Sequence, residues 1–454
     1  ASALRARPAA WMPACPAERP PELAPAAELV ASRPPASEAT PLRRPKEEAS
    51  AAWRALGPGL FVCLADSDGA CLIVAAQSGA HWGYSLLPLQ VFLIPVLFLV
   101  QELTIRLGVY TQRGLTALIK LHYGTLAASL SCALVVLECV AALITELSCL
   151  SAVGELWGVP TVVASAASGL VVVLCVVFLS YKQVEVVGVA LGLCELTFVL
   201  TMVCYHPAPS EVWRGAWAVP KDAAYIEVTA ANIGAVIMPW MIFFQQSAVV
   251  ARGLRSKEDV EVERAQTLFG SALTQLVMIG LLVTLAAAKS RPENLDTIGD
   301  IADAIAPVLG ARLARVIVSL GFGGSCLCAT FVVSLAAVWS ICEATGHELS
   351  SLDEPPMRAP HFYGTFVAII GAGILLQLAR VGTVHLSLMV ILSDGLLVPL
   401  AIGFVYLLAS GDALPPEVRL RGLHKAAIAA ILVVVTATSL GATLYGLVAR
   451  DMSF

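Results

Sequence analysis

Hydrophobic residues occur in long continuous runs separated by short polar segments, and no run alternates at the two-residue period of a strand. A helix that crosses a bilayer needs about 20 mostly apolar residues, whereas the strands of a membrane barrel would alternate apolar and polar positions. The pattern therefore predicts eleven transmembrane helices, at 56–81, 84–106, 124–152, 160–181, 184–205, 226–251, 264–288, 313–343, 361–379, 382–409 and 424–448.

Two of these runs contain residues that interrupt a helix. The first begins with Gly57-Pro58-Gly59 and contains Asp66-Ser67-Asp68. The sixth contains Pro239, which lacks a backbone donor and disturbs the carbonyl of Ala235. Irregular backbone at membrane depth is tolerated where it lines a cavity or is buried in protein. Because each interruption opens a set of five spans, we predict an all-α membrane protein with a LeuT-like inverted repeat (5+5) and broken first and sixth helices.

The repeats divide the chain into three predicted regions. Residues 1–50 are rich in Ala, Pro and Arg and are expected to form a disordered cytoplasmic tail, with an organelle transit peptide as the alternative. The transporter core is expected at 51–410, with repeats at about 56–205 and 226–410. Residues 411–454 hold the eleventh helix and the C-terminus.

Composition agrees with a membrane protein. Hydrophobic residues make up 58% of the chain and charged residues 13%, against about 25% charged in soluble domains. The net charge of −5 argues against nucleic acid as a partner. Lys and Arg are more frequent in the loops that lie on the N-terminal side, which predicts a cytoplasmic N-terminus in a multi-pass protein of the plasma membrane.

Two carboxylates, Asp66 and Asp68, lie inside the first span. Each costs about 2.5–3.5 kcal/mol at the centre of a membrane helix, so a functional role is favoured. Carboxylates together with freed carbonyl groups suit a divalent cation such as Mg²⁺ or Mn²⁺. A substrate carboxylate would avoid nearby acids, which argues against an amino-acid carrier.

Other acidic residues also lie in apolar spans, and no Lys or Arg lies at comparable depth. Asp394, followed by Gly395 in the tenth span, is the best further candidate for a cation pathway. Glu146 of the third span is a second candidate. Glu138 and Glu195 are expected to be protonated and hydrogen-bonded to backbone.

The cysteines and histidines form no convincing cluster in the sequence. Cys326 and Cys328 are two residues apart on one helix and would point in nearly opposite directions, so packing is their expected role. No nucleotide-binding loop, catalytic triad or zinc-binding pair is present in the sequence. Neither an enzyme nor a resident cofactor is expected.

Three segments resemble the Nramp family of transition-metal transporters, and more closely the Nramp-related magnesium transporters. Gly57-Pro58-Gly59 and the residues at 77–80 (QSGA) match the two ends of the family's first helix. Residues 68–71 (DGAC) lie on its Asp-Pro-Gly-Asn metal motif, and 234–247 (GAVIMPWMIFFQQS) lie on its sixth-helix Met-Pro-His motif. The resemblance extends from about residue 56 to the tenth span.

The resemblance implies a metal site. Asp68 would be the central carboxylate, with the carbonyl groups of Ala65 and Ala235 and the thioether of Met238 completing it. Glu146 falls within one residue of the family's third-helix acid, which belongs to the proton path.

Four positions depart from the motif of the transition-metal branch. Cys71 replaces the Asn ligand, while Trp240 and Gln245 replace two histidines and become candidates for a pocket or gate. Asp66 adds a carboxylate. The Asp-x-Asp pattern and the Trp after Met-Pro resemble the magnesium branch, in which the ion keeps part of its water shell.

The first hypothesis is a secondary carrier for Mg²⁺ and Mn²⁺ that works by alternating access without proton coupling. The alternative is a proton-coupled Nramp-type importer of Mn²⁺ or Fe²⁺, which Met238 and Cys71 allow. A non-transporting membrane sensor is a third hypothesis. The expected partners are the metal ion and the lipid bilayer, and a monomer is compatible with the sequence.

Overall fold

The computed structural model describes residues 57–220, 223–288, 295, 297–347, 352–379 and 383–451, without the side chains of 223, 227, 383–396, 438–440 and 442–451. The N-terminal tail predicted at 1–50 lies outside these residues, as does the Asp394 side chain. The described chain contains helices and turns and no β-strand.

The helices follow the predicted apolar runs, apart from two short helices, Pro209–Ala216 and Ile298–Leu309, that lie between those runs. The bounds are α1 Pro58–Ala65, α2 Gly69–Trp82, α3 Leu87–Thr111, α4 Leu115–Glu155, α5 Thr161–Phe178, α6 Tyr181–Gly192, α7 Leu196–Tyr205, α8 Pro209–Ala216, α9 Ala223–Val236, α10 Pro239–Ala251, α11 Lys257–Ala287, α12 Ile298–Leu309, α13 Ala311–Thr345, α14 Pro360–Leu378, α15 Thr383–Ser410 and α16 Gly422–Asp451. A 3₁₀ turn at Leu193–Glu195 joins α6 to α7.

Within the described chain, eight helical segments are long and apolar enough to cross a membrane, and the bent pair α1–α2 gives a ninth. These nine correspond to the first nine predicted spans. The last two predicted spans coincide with α15 and α16, whose described apolar segments, Leu397–Ser410 and Gly422–Ala437, are shorter. The all-helical fold is confirmed, and the count of eleven spans stays a prediction.

The third span begins where the sequence predicts it, although α4 is longer. Gly124 has a φ of 86° inside α4, which divides the helix at a kink into a short first part and a long apolar second part. Only glycine adopts this backbone conformation without strain. The predicted start at residue 124 therefore coincides with a kink.

The two broken helices lie at the centre of the bundle. All eight residues of α1 are buried, and so are eleven residues of α10. α1 packs against α6, α10, α11 and α13, and α10 packs against α3 and α13 as well. One continuous apolar cluster joins these helices, and its members include Phe61, Phe244 and Phe331. This packing holds both helix breaks in the protein interior.

Candidate functional site

The first helix break lies between α1 and α2, which meet at a bend of 53°. α1 ends at Ala65, and Asp68 adopts an extended conformation as the N-cap of α2. The Asp68 side chain accepts a hydrogen bond of 2.9 Å from the Cys71 N–H. A carboxylate at this position satisfies an orphan backbone donor and the positive end of the helix dipole.

The second break lies between α9, which ends at Val236, and α10, which begins at Pro239. Met238 is extended there. In an intact helix the N–H of residue 239 would donate to the carbonyl of Ala235, but proline has no N–H. The Cys71 thiol donates to this carbonyl instead, at 3.3 Å. One side chain of the first break therefore contacts the backbone of the second.

Glu146 of α4 also reaches the first break. Its Oε2 accepts a hydrogen bond of 3.3 Å from the N–H of Gly69. In a continuous helix this N–H would donate to the carbonyl of Ala65. Glu146 therefore replaces one helical hydrogen bond at the break, and the Ala65 carbonyl loses its helical donor.

Glu195 lies on a further side of the break, from the 3₁₀ turn between α6 and α7. It is fully buried and lies beside the hydroxyl groups of Ser67 and Ser325. Ser325 of α13 donates a hydrogen bond to the Ser67 carbonyl. The sequence predicts only a protonated Glu195 hydrogen-bonded to backbone, because an acid in a continuous apolar run gives no sign of the direction in which it points.

Four carboxylates thus surround the first break: those of Asp66, Asp68, Glu146 and Glu195. Asp66 is 2% exposed, and neither of its oxygen atoms has a hydrogen-bond partner among the described residues. None of the four forms an ion pair with a Lys or Arg of the described residues. Burying carboxylates without a counter-charge is unfavourable, so this arrangement suits a cation.

The side chains alone do not form a complete metal shell. No three His, Cys, Asp or Glu side chains of the described residues converge closely enough to hold a metal ion. An ion at the break would therefore need oxygen atoms from backbone carbonyls or from its own water. Mg²⁺ is usually bound in this way, through one or two carboxylates with several waters retained.

The remaining predicted site residues lie at different distances from the break. Met238 is half-buried at the second break itself. Trp240 is fully buried, and its indole N–H has no hydrogen-bond partner among the described residues. Gln245 donates to the Thr267 hydroxyl of α11 at 3.1 Å. Gln245 is thus directed toward α11.

Both ends of the bundle are closed over the site. At the end near Trp82, Asn232 of α9 donates to the Ser78 hydroxyl of α2 at 2.9 Å and accepts from Gln90 of α3 at 2.6 Å. These contacts hold α2 and α9 together above the two breaks.

At the opposite end, Glu263 of α11 accepts a hydrogen bond of 3.1 Å from the Gly59 N–H at the start of α1. Arg252, directly after α10, forms an ion pair with the buried Glu185 of α6. Asp66 and Asp68 are 2% and 3% exposed, so solvent reaches these carboxylates from neither end and the structure is an occluded state.

A helical bundle with two helices broken at mid-span around buried carboxylates defines a membrane protein of the LeuT-like class. A solved structure of a Na+-coupled sialic acid symporter and one of Mhp1 share this fold, with TM-scores of 0.59 and 0.52 at 14% identity. A family model described as natural resistance-associated macrophage protein-like (Nramp) matches residues 59–445. The chain belongs to the Nramp family, which confirms the resemblance to that family. The closer likeness to its magnesium branch stays a prediction.

Individual relatives are distant. The chain is 26% identical over 303 residues to the divalent metal cation transporter MntH of Ralstonia nicotianae, which covers 63% of this chain and 68% of the relative. It is 29% identical over 255 residues to the metal transporter Nramp3.1 of Populus trichocarpa, covering 52% of this chain and 49% of the relative. The chain thus matches about half the length of this plant relative.

The fold itself is close to that of a solved structure. The crystal structure of a manganese transporter from Eremococcus coleocola, in complex with an aromatic bis-isothiourea compound, matches with a TM-score of 0.71. The match covers 87% of each chain at 17% identity. It supports the helical architecture over nearly the whole described chain.

Proposed function

We propose that this chain is a secondary carrier for divalent metal cations, Mg²⁺ ahead of Mn²⁺, that works by alternating access without proton coupling. The observation that carries the proposal is the group of four buried carboxylates at the first helix break, none of which forms an ion pair with a Lys or Arg of the described chain. The curated relatives named as divalent metal cation transporter and metal transporter support the substrate class.

Charge favours a divalent ion over a monovalent one. Coulomb attraction scales with the charge of the ion, and it is larger in a buried site than in water. An ion of charge +2 at Asp68 would be stabilised by Asp66, Glu146 and Glu195 together. The same carboxylates would repel an anionic substrate.

The choice of Mg²⁺ ahead of Mn²⁺ rests on the donor types. Asp66 supplies an additional hard oxygen donor, and Mg²⁺ prefers oxygen ligands and retains water. The Cys71 thiol is engaged with the Ala235 carbonyl in the occluded state. Met238 is the one soft donor at the second break, and thioether sulfur favours softer ions, which keeps Mn²⁺ as a substrate.

The absence of proton coupling is inferred from the sixth span. Residues 223–251 contain no histidine, and Trp240 and Gln245 occupy the positions where the family motif has histidines. Histidine is the side chain whose unperturbed titration lies near neutral pH, so its loss removes a ready proton carrier. The membrane potential and the ion gradient would then drive uptake.

The closures at the two ends suggest how access would alternate. Opening at the Trp82 end requires the contact between Asn232 and Ser78 to break. Opening at the other end requires the contact between Glu263 and Gly59 to break. The first closure joins α2 to α9, which are segments of the two broken helices, and the second joins α1 to α11, so the two ends can open separately. We also propose a plasma-membrane location with a cytoplasmic N-terminus.

Uptake into proteoliposomes tests the proposal. Purified protein is reconstituted with dyes that report internal Mg²⁺ or Mn²⁺ and internal pH in parallel. The expected result is entry of both ions with no change in pH that depends on the metal. Asp68→Asn should abolish uptake, whereas Asp303→Asn, at an exposed position of α12, should leave it unchanged.

Two outcomes would contradict the proposal. Uptake by Asp68→Asn at the wild-type rate would show that the site is misplaced. Mn²⁺ entry with acidification and no Mg²⁺ entry would favour the alternative, a proton-coupled importer of Mn²⁺ or Fe²⁺, for which the half-buried thioether of Met238 is the supporting observation.

A further inference from the structure

Two cysteines from different helices meet beside the first helix break. Cys149 belongs to α4 and Cys326 to α13. A Cβ atom built on Gly69 would lie 2.7 Å from the Cys149 sulfur and 2.9 Å from the Cys326 sulfur. Both sulfur atoms therefore flank the same point at the first residue of α2, where only a glycine leaves room for them.

The two thiols also lie close to each other, because a single Cβ position on Gly69 is within 3 Å of both sulfur atoms. The Glu146 carboxylate lies near Cys326 as well. Cys149 is 6% exposed and Cys326 is fully buried. Both cysteines are free, and they belong to one apolar cluster with Leu147 and Phe322. The pair is therefore a preformed dithiol held on a packed support.

We propose that Cys149 and Cys326 form a chelating site for thiophilic centres that bind two sulfur ligands, in particular trivalent arsenic. The number of ligating side chains at the site determines which ligands it can bind. A structural zinc site needs four ligands, and no three His, Cys, Asp or Glu side chains of the described residues converge on one metal ion. Trivalent arsenic carrying one organic group needs two thiols only.

The reaction with phenylarsine oxide balances without an oxidant. The two S–H bonds break and two As–S bonds form, while the arsenic–oxygen bond breaks. The two thiol protons leave with that oxygen as water, and arsenic stays trivalent. The second As–S bond forms intramolecularly, which raises the effective concentration of the second thiol.

The bridge would act on the transport site. It would connect α4 to α13 beside Gly69, which is adjacent to Asp68 in the chain and donates to Glu146. A bulky group at this point would displace the start of α2 or the Glu146 carboxylate. The bound arsenical should therefore stop metal uptake, a consequence that rests on the proposed function, whereas the binding itself does not.

Intact mass spectrometry of the full chain with phenylarsine oxide tests the binding. Cys132 of α4 and Cys342 of α13 interact elsewhere and could bind a second arsenical, so the measurement uses a Cys132→Ala background. The expected result is one phenylarsenic group per chain, removed by a dithiol and retained in excess monothiol. Cys149→Ala and Cys326→Ala should each fail to bind the phenylarsenic group. The control is Cys328→Ala, which removes another buried cysteine of α13 and should still bind it.

The binding and the transport function are tested separately. Asp68→Asn should bind the arsenical as the parent does, even though it no longer transports. Retention of the arsenical by Cys149→Ala or Cys326→Ala, or no binding by the parent, would overturn the proposed site. Binding with unchanged uptake would overturn the proposed block of transport and leave the dithiol site established.

Discussion

The Cys71 thiol donates a hydrogen bond to the Ala235 carbonyl at 3.3 Å, and this contact joins the two helix breaks. The carbonyl is available because residue 239 is proline and has no N–H to donate. The first break thus supplies the donor that the second break lacks. The freed carbonyl of the second break is therefore satisfied by a side chain of the first, as buried backbone groups require.

Removing this donor should destabilise the occluded state. We expect Cys71→Ala to lower the melting temperature of the purified protein, by a free-energy change on the order of 1 kcal/mol, because the buried carbonyl loses its partner. Cys71→Ser keeps a donor and should recover most of the loss. Equal melting temperatures for the Ala variant and the wild type would contradict a role for the thiol.

Glu195 should contribute to metal affinity through its charge. We expect Glu195→Gln to weaken Mg²⁺ and Mn²⁺ binding roughly tenfold, because one buried negative charge near the ion is worth on the order of 1–2 kcal/mol. Calorimetric titration of the detergent-solubilised protein measures the change. Glu211→Gln removes a charge at an exposed position of α8, where water and salt screen it, and should leave the affinity unchanged.

Glu263 should control opening at the Gly59 end. We expect Glu263→Gln to weaken the charge-assisted contact with the Gly59 N–H by about 1–2 kcal/mol, which raises the open population roughly tenfold. Cys63 of α1 is fully buried, so its rate of labelling by a polar maleimide, mapped by mass spectrometry, reports the opening.

The control for this prediction is Glu261→Gln on the same helix. The Glu261 side chain is 61% exposed and pairs with Arg264. The Glu261→Gln substitution should therefore not change the rate of Cys63 labelling. Equal labelling rates in the Glu263 and Glu261 variants would show that the contact with Gly59 does not hold α1 closed.

Gly79 should be intolerant of a side chain. A Cβ atom at this position of α2 would collide with the backbone carbonyl of Leu282 in α11, and backbone cannot rotate away. We expect Gly79→Ala to lower the stability by about 1–3 kcal/mol, as overpacking does. Gly364→Ala in α14 faces open space and should be neutral or stabilising by about 0.5–1 kcal/mol. Thermal unfolding of both variants provides the comparison.

Much of the fold follows from the sequence for a simple physical reason. A long apolar run has few alternatives to a membrane helix, so nine described spans match their predicted positions. The breaks are also visible, because Pro239 cannot donate and because Asp66 and Asp68 are costly inside a continuous apolar helix. Local chemistry determines these features, and local chemistry can be read along the chain.

The partners of the break could not be predicted in the same way. Glu146 was expected from the family motif, but Glu195 and the Cys149–Cys326 pair depend on how distant helices pack. The sequence correctly predicts that the side chains of Cys326 and Cys328 point in different directions from one helix. It contains no information on the residue of α4 that Cys326 would meet, because an all-round apolar helix shows no preferred face.

The first turn of α2 holds two carboxylates through its own backbone: Asp68 by the Cys71 N–H and Glu146 by the Gly69 N–H. The N-terminus of a helix carries a partial positive charge of about half a unit. It therefore partly neutralises both carboxylates, and under the proposed function an arriving cation would meet oxygen atoms that are already oriented. A carrier must also return without cargo. Under the proposed function, the partial positive charge at the start of α2 lowers the electrostatic barrier to that return step, because it partly neutralises the empty carboxylates.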